Sequence, residues 1–193
     1  MTGTLMSVLR PATAPVALSS LAAGLGVGCA TDAVVTGAAI DSRHVTRGDL
    51  WFALPGAHRH AMQFAAAAVA AGAAAVVTDE VGARIAHETD ALPPQVPVVV
   101  VPDARAVAGR VISQVFGDPS RRLAMVGVTG TNGKTSVTHY LRDAWTSAGQ
   151  DSAVMGTLGV RAAGHPEVEG LSASRPRRRM CCRAPCRRWR RPG

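Results

Sequence analysis

Residues Gly127-Val-Thr-Gly-Thr-Asn-Gly-Lys134-Thr135 form a glycine-rich loop whose surroundings limit what the chain can fold into. An apolar run, Leu123 to Val128, precedes it and reads as a buried strand. Thr135 to Trp145 follows it and reads as a helix. A strand, a glycine loop and a helix in that order point the loop's backbone N–H groups and the positive end of the helix dipole at a polyphosphate. Lys134 is placed to reach terminal phosphates, and the Thr135 hydroxyl to ligate Mg2+. The first glycine sits one residue earlier than in the general phosphate loop, because Val128 occupies the usual position. The pattern is therefore G-x-x-G-T-x-G-K-T, and the bland alternative for it is a plain tight turn.

Such a loop belongs to α/β proteins, and the rest of the chain agrees. Val34–Ile40 reads as a strand, and Gly48-Asp49 turns into a second apolar strand, Leu50–Leu54. Met62–Ala71 reads as an alanine-rich helix closed by Gly72, followed by a strand at Ala73–Thr78. Val96–Val101 is a further strand, and Asp103 N-caps a helix running to Phe116. Ser19–Gly24 reads as a short amphipathic helix, and Ser152–Met155 as a strand after the loop's helix. Alternating strands and helices predict a small first domain of mixed sheet and helices, then the start of a parallel α/β domain built on the phosphate loop. The expected divisions are an N-terminal segment 1–30, a first domain 31–118, an incomplete loop domain 119–170 and a disordered tail 171–193.

Charge would mislead if taken whole. The chain has 193 residues and a formal net charge of +8, but nine of its 21 basic residues lie in 171–193, where there is no acid. The remainder is close to neutral, and Lys134 is the only lysine. A nucleic-acid surface needs basic residues spread over a folded face, so no nucleic-acid partner is expected. Cys181, Cys182 and Cys186 share the tail without a histidine, a poor zinc pattern, and Cys29 stands apart. No segment is apolar enough to span a bilayer. The run Val16–Val27 is too rich in Gly, Ala and Ser to favour a signal peptide, so the expectation is a cytoplasmic protein.

Three ordered segments resemble the Mur ligases of peptidoglycan synthesis, most closely the MurE type, which joins a diamino acid to a UDP-linked dipeptide. The first is Asp41-Ser-Arg-x-Val-x-x-Gly48-Asp49-Leu-x-Phe52-Ala-Leu-x-Gly56, which looks like the family's uridine-nucleotide domain. The second is the loop itself, with the family's G-T-N-G-K-T core. The third is Ala153-Val-Met-Gly156-Thr157-x-Gly159, which favours MurE over MurF. The resemblance runs from about Val34 to Val160. It implies that ATP phosphorylates the D-glutamate side-chain carboxylate of UDP-MurNAc-L-Ala-D-Glu, and that the amine of meso-diaminopimelate or lysine attacks the acyl phosphate. ATP would bind at Gly130, Thr131, Asn132, Gly133, Lys134, Thr135 and Ser136, with Mg2+ on Thr135. Ile40, Ser42, Ala57, His58 and Arg59 would contact the UDP part of the substrate. The resemblance carries no catalytic residue onto this chain, and it implies a monomer. Without it, Ser42 would cap a turn, and Arg43, His58 and His60 would be solvated loop residues. Trp51 and Phe52 read as core. Where the family often has Asp-Gly or His-Gly before the first domain's helix, this chain has His60-Ala61.

Beyond Val160 the family's Thr-Thr-Pro loop, modified lysine, acidic and histidine metal ligands and C-terminal domain are not found. The tail reads as a frameshift in a GC-rich gene. One nucleotide back, the codons from the Ala173–Ser174 junction permit Leu-Thr-Thr-Pro. The expectation is a truncated ligase, inactive alone. The alternatives are a MurF-type fragment, a non-catalytic nucleotide-binding module, or a basic tail that binds RNA or anionic lipid.

Overall fold

The computed structural model describes residues 13–29, 31 and 33–162. The readings placed on the tail, its cysteines and its frame, and on residues 1–12, fall outside them. The described chain divides into two compact units, meeting in sequence between Asp118 and Pro119.

In the first unit, four strands run parallel in chain order: β3 (Gly37–Ala39), β4 (Asp49–Ala53), β5 (Ala73–Thr78) and β6 (Val98–Val100). A two-stranded antiparallel pair precedes them, β1 (Val16–Ala17) with β2 (Val34–Val35). The expected single strand Val34–Ile40 is thus two strands. The break falls at Thr36, whose N–H leaves the ladder and donates to the Gly48 carbonyl at 2.8 Å. The four-stranded sheet is wholly parallel, and the antiparallel strand pair β1–β2 stands as a separate two-stranded sheet, which gives the expected mixture.

Parallel strands need covered faces and crossover connections, and the helices supply both. These are α1 (Leu18–Ala23), α2 (Ala65–Ala70), α3 (Glu80–Glu88) and α4 (Ala104–Val115). The alanine-rich helix begins as a 3-10 turn at Ala61–Phe64 and becomes α-helical only at Ala65. Gly72 follows it at φ 101°, and a Cβ there would lie 2.7 Å from the Arg47 backbone, so the turn demands glycine. Asp103 caps α4 as expected, accepting from the amides of Arg105 and Ala106 at 3.0 and 2.9 Å. The core forms between β4, β5 and these helices. Leu50, Trp51 and Phe52 are fully buried, with Met62, Ala65 and Ala68 packed around the Trp51 side. The face that α2 buries against the sheet is made of alanines, Ala65 and Ala68.

The second unit contains helix α5 (Lys134–Ser147) and an antiparallel hairpin of β7 (Ala153–Gly156) and β8 (Gly159–Ala162). The expected strand at 123–128 has no strand pairing, and Met125 and Val126 are more than half exposed. A strand is buried only between neighbours, and among the described residues β7 pairs with β8 alone. Helix α5 has no buried residue. It is tied to β7 through Ser152, whose hydroxyl donates to the Arg142 carbonyl at 3.0 Å.

Candidate functional site

In a parallel sheet every strand delivers its C-terminal end to the same edge, and the loops leaving that edge are where α/β proteins gather ligand contacts. Here β3 ends at Ala39 and releases Ile40, Asp41 and Ser42, and its neighbour β4 ends at Ala53 and releases Leu54 to Arg59. The two groups expected to meet a uridine nucleotide therefore leave adjacent strands on one edge. Ile40 is 43% exposed, an apolar side chain left facing outward, and Ala57, His58 and Arg59 are all exposed.

The first of these loops is ordered by its own chemistry. Asp41 caps a 3-10 turn at Ser42–His44, accepting from the Arg43 amide at 3.0 Å. The same carboxylate takes a forked pair of bonds from the Arg43 guanidinium, at 3.0 Å from Nε and 2.6 Å from Nη2. The bonds from Arg43 hold the Asp41 carboxyl below the usual carboxylate range. Capping thus falls to Asp41 rather than Ser42. Arg43 is not a bare surface charge, because its guanidinium braces the turn that presents Ser42.

The second loop is short and closed. The Gly56 amide donates to the Arg59 carbonyl at 3.0 Å, and the Ala61 amide to the Leu54 carbonyl at 3.0 Å. A Cβ on Gly56 would lie 2.4 Å from that Arg59 oxygen, so only glycine allows the turn. Arg105, on α4, donates to the Pro55 carbonyl from outside. His60 departs from the expectation of a solvated loop residue. It is buried, its Nδ1 accepts from the Met62 amide at 3.1 Å, and its Nε2 lies 3.1 Å from Asp79. The sequence reading missed this partnership with Asp79, although an Asp directly after a strand and three residues before Gly82 is a helix-cap signal.

The phosphate-type loop lies in the second unit. Gly130 and Gly133 adopt positive φ of 154° and 75°, and Gly133 is the N-cap of α5. Lys134 reaches back over the loop, its Nζ donating to the Gly130 carbonyl and, at 3.3 Å, to the Thr131 carbonyl. Thr131, Asn132, Thr135 and Ser136 are exposed around it. The arrangement is a lysine, a hydroxyl and the unpaired first-turn amides of a 14-residue helix, gathered on one exposed loop. Among the described residues there is no cluster of three or more His, Cys, Asp or Glu that could hold a metal. No described helix is long and apolar enough to cross a membrane.

Comparison with known proteins gives two family matches. Residues 34–115 match the Mur ligase family, catalytic domain, and residues 128–175 match the Mur ligase middle domain. The chain is 42% identical over 129 residues to the UDP-N-acetylmuramoyl-L-alanyl-D-glutamate--2,6-diaminopimelate ligase of Pseudomonas putida, an alignment covering 67% of this chain and 25% of that protein. It is 40% identical over 145 residues to the ligase of the same name from Streptomyces coelicolor, covering 75% and 28%. The fold is shared with MurF from Acinetobacter baumannii at a TM-score of 0.52 and 22% identity, over 77% of this chain and 31% of that one. The chain spans about a quarter of the length of these curated relatives.

Proposed function

The chain belongs to the Mur ligase family, and from that premise we propose that it carries two substrate sites of an ATP-dependent, amide-bond-forming ligase of the MurE type. The first unit takes the UDP end of UDP-MurNAc-L-Ala-D-Glu. Ile40 offers an apolar surface to the uracil ring, Ser42 a hydroxyl, and the Ala57–Arg59 turn a backbone and a cation for the diphosphate. The loop of the second unit takes ATP. Its amides from Gly130 to Gly133 wrap the phosphates, Lys134 swings from the loop carbonyls to the terminal phosphates, and Ser136 lies in the first turn. Thr135 supplies one hard oxygen for Mg2+. When bound, Mg2+ neutralises phosphate charge during phosphoryl transfer to the D-glutamate carboxylate.

The relatives' names point to 2,6-diaminopimelate rather than lysine as the incoming amine. The protein would work as a monomer, in the cytoplasm, where ATP is available. The observation that carries the reading is the delivery of Ile40–Ser42 and Ala57–Arg59 from adjacent parallel strands to one edge. Calorimetric titration with UDP-MurNAc-L-Ala-D-Glu tests it. Saturable one-to-one binding is expected, weakened about tenfold by Ser42→Ala, the loss of one hydrogen bond to a charged group. Equal affinity of Ser42→Ala and wild type would remove Ser42 from the site.

A further inference from the structure

We infer that His60 is a positioning residue, clamping the Ala57–Arg59 turn to the start of α3 through Asp79; its use in binding rests on the uridine-nucleotide reading above. The tautomer follows from the bonds. The Met62 amide can only donate, so Nδ1 carries no proton, and the neutral ring's single N–H is at Nε2, donating to Asp79 Oδ1 at 3.1 Å. That carboxylate oxygen also accepts from the Gly82 amide at 2.8 Å and so caps α3. One imidazole therefore joins the end of the 55–60 loop, the first turn of the helix after it and the N-terminus of the next crossover helix.

The site is shaped for this ring. A Cβ on Gly82 would lie 2.5 Å from His60 Cε1 and 2.0 Å from Thr78 Oγ1, so glycine is what admits the imidazole. Thr78 in turn donates to the Ala53 carbonyl at 3.0 Å, fixing the last residue of β4 just before the loop begins. Both ends of the loop are thus held. Arg105 grips Pro55, and the His60–Asp79 pair grips the other side, leaving Gly56 to Arg59 as a closed, outward-facing turn. The Asp79 carboxylate is half-buried, and a bond to it from the buried histidine is stronger than one between neutral partners, so the clamp adds to the backbone bonds that close the turn.

Amide hydrogen exchange on the ligand-free 193-residue chain tests the clamp, with uridine diphosphate titrated into the same samples. His60→Ala should speed exchange of the Gly56 and Ala61 amides about tenfold against the Val76 and Val111 amides, and weaken uridine diphosphate by a similar factor. Asp79→Asn keeps an acceptor for the Gly82 amide but gives up the charge. It should produce the same two changes in smaller measure, and it decides the matter if His60→Ala does not fold. Unchanged exchange at Gly56 and Ala61 in folded Asp79→Asn and His60→Ala overturns the inference. Faster exchange in a protein whose wild type takes up no uridine diphosphate would keep the clamp and overturn the nucleotide reading instead.

Discussion

Trp51→Ala should destabilise the first unit by roughly 3–5 kcal/mol, a large part of the 5–15 kcal/mol that holds a typical domain together. The indole is fully buried in the middle strand pair of the sheet, against Met62, Ala65 and Ala68. Its neighbours are mostly alanines, whose short side chains cannot swing in to fill the space, so the cavity would stay open. Chemical denaturation followed by circular dichroism reads the change as a lower midpoint. Trp51→Phe separates packing from polarity. The indole Nε1 is buried with no hydrogen-bond partner among the described residues, and an unpaired buried donor itself costs about 1–3 kcal/mol. Phenylalanine keeps most of the ring volume and removes that donor, so its loss should be far smaller than that of alanine. Equal losses would show that ring packing is not what Trp51 contributes to the core.

Lys134→Ala should weaken binding of Mg-ATP by roughly 10- to 100-fold, the range for losing charge-assisted bonds to phosphate. Lys134 is the only lysine in the chain, and no other cation in the glycine loop can take its place. It already lies over the loop through bonds to the Gly130 and Thr131 carbonyls, so phosphate oxygens would replace acceptors it now holds. The side chain is exposed on the first turn of α5, and its removal should leave the melting temperature nearly unchanged. Lys134→Arg should restore little, because a planar guanidinium fork does not replace the compact point charge of an ammonium at the same phosphate oxygens. Nucleotide affinity unchanged by Lys134→Ala would show that the loop is only a turn.

Local signals in the sequence were strong where the fold obeys them. Asp103 announced α4, Gly72 the left-handed turn after α2, and the apolar triplet Leu50-Trp51-Phe52 the buried central strand. Helix α3 was not legible, because Val81 is nearly half exposed and Gly82 interrupts the pattern. Asp79 caps its N-terminus, and Gly82 is there for a tertiary reason, the room it leaves for His60. The strand expected at 123–128 shows the opposite error. An apolar run states a preference for burial, but a strand forms only beside a partner, and the described residues place none next to it. At the site, Asp41-Ser-Arg was visible as a motif, whereas the division of labour within it was not. The forked bond between Asp41 and Arg43 depends on the turn that the same two residues make.

The C-terminal edge of β3 and β4 is the proposed seat of the uridine nucleotide. Hydrogen-exchange footprinting of the full chain with UDP-MurNAc-L-Ala-D-Glu reads that edge. Slower exchange is expected at residues 40–43 and 56–60, with 73–78 and 104–115 unchanged. Protection confined to the glycine loop at 127–135, or none at a saturating concentration, would contradict it.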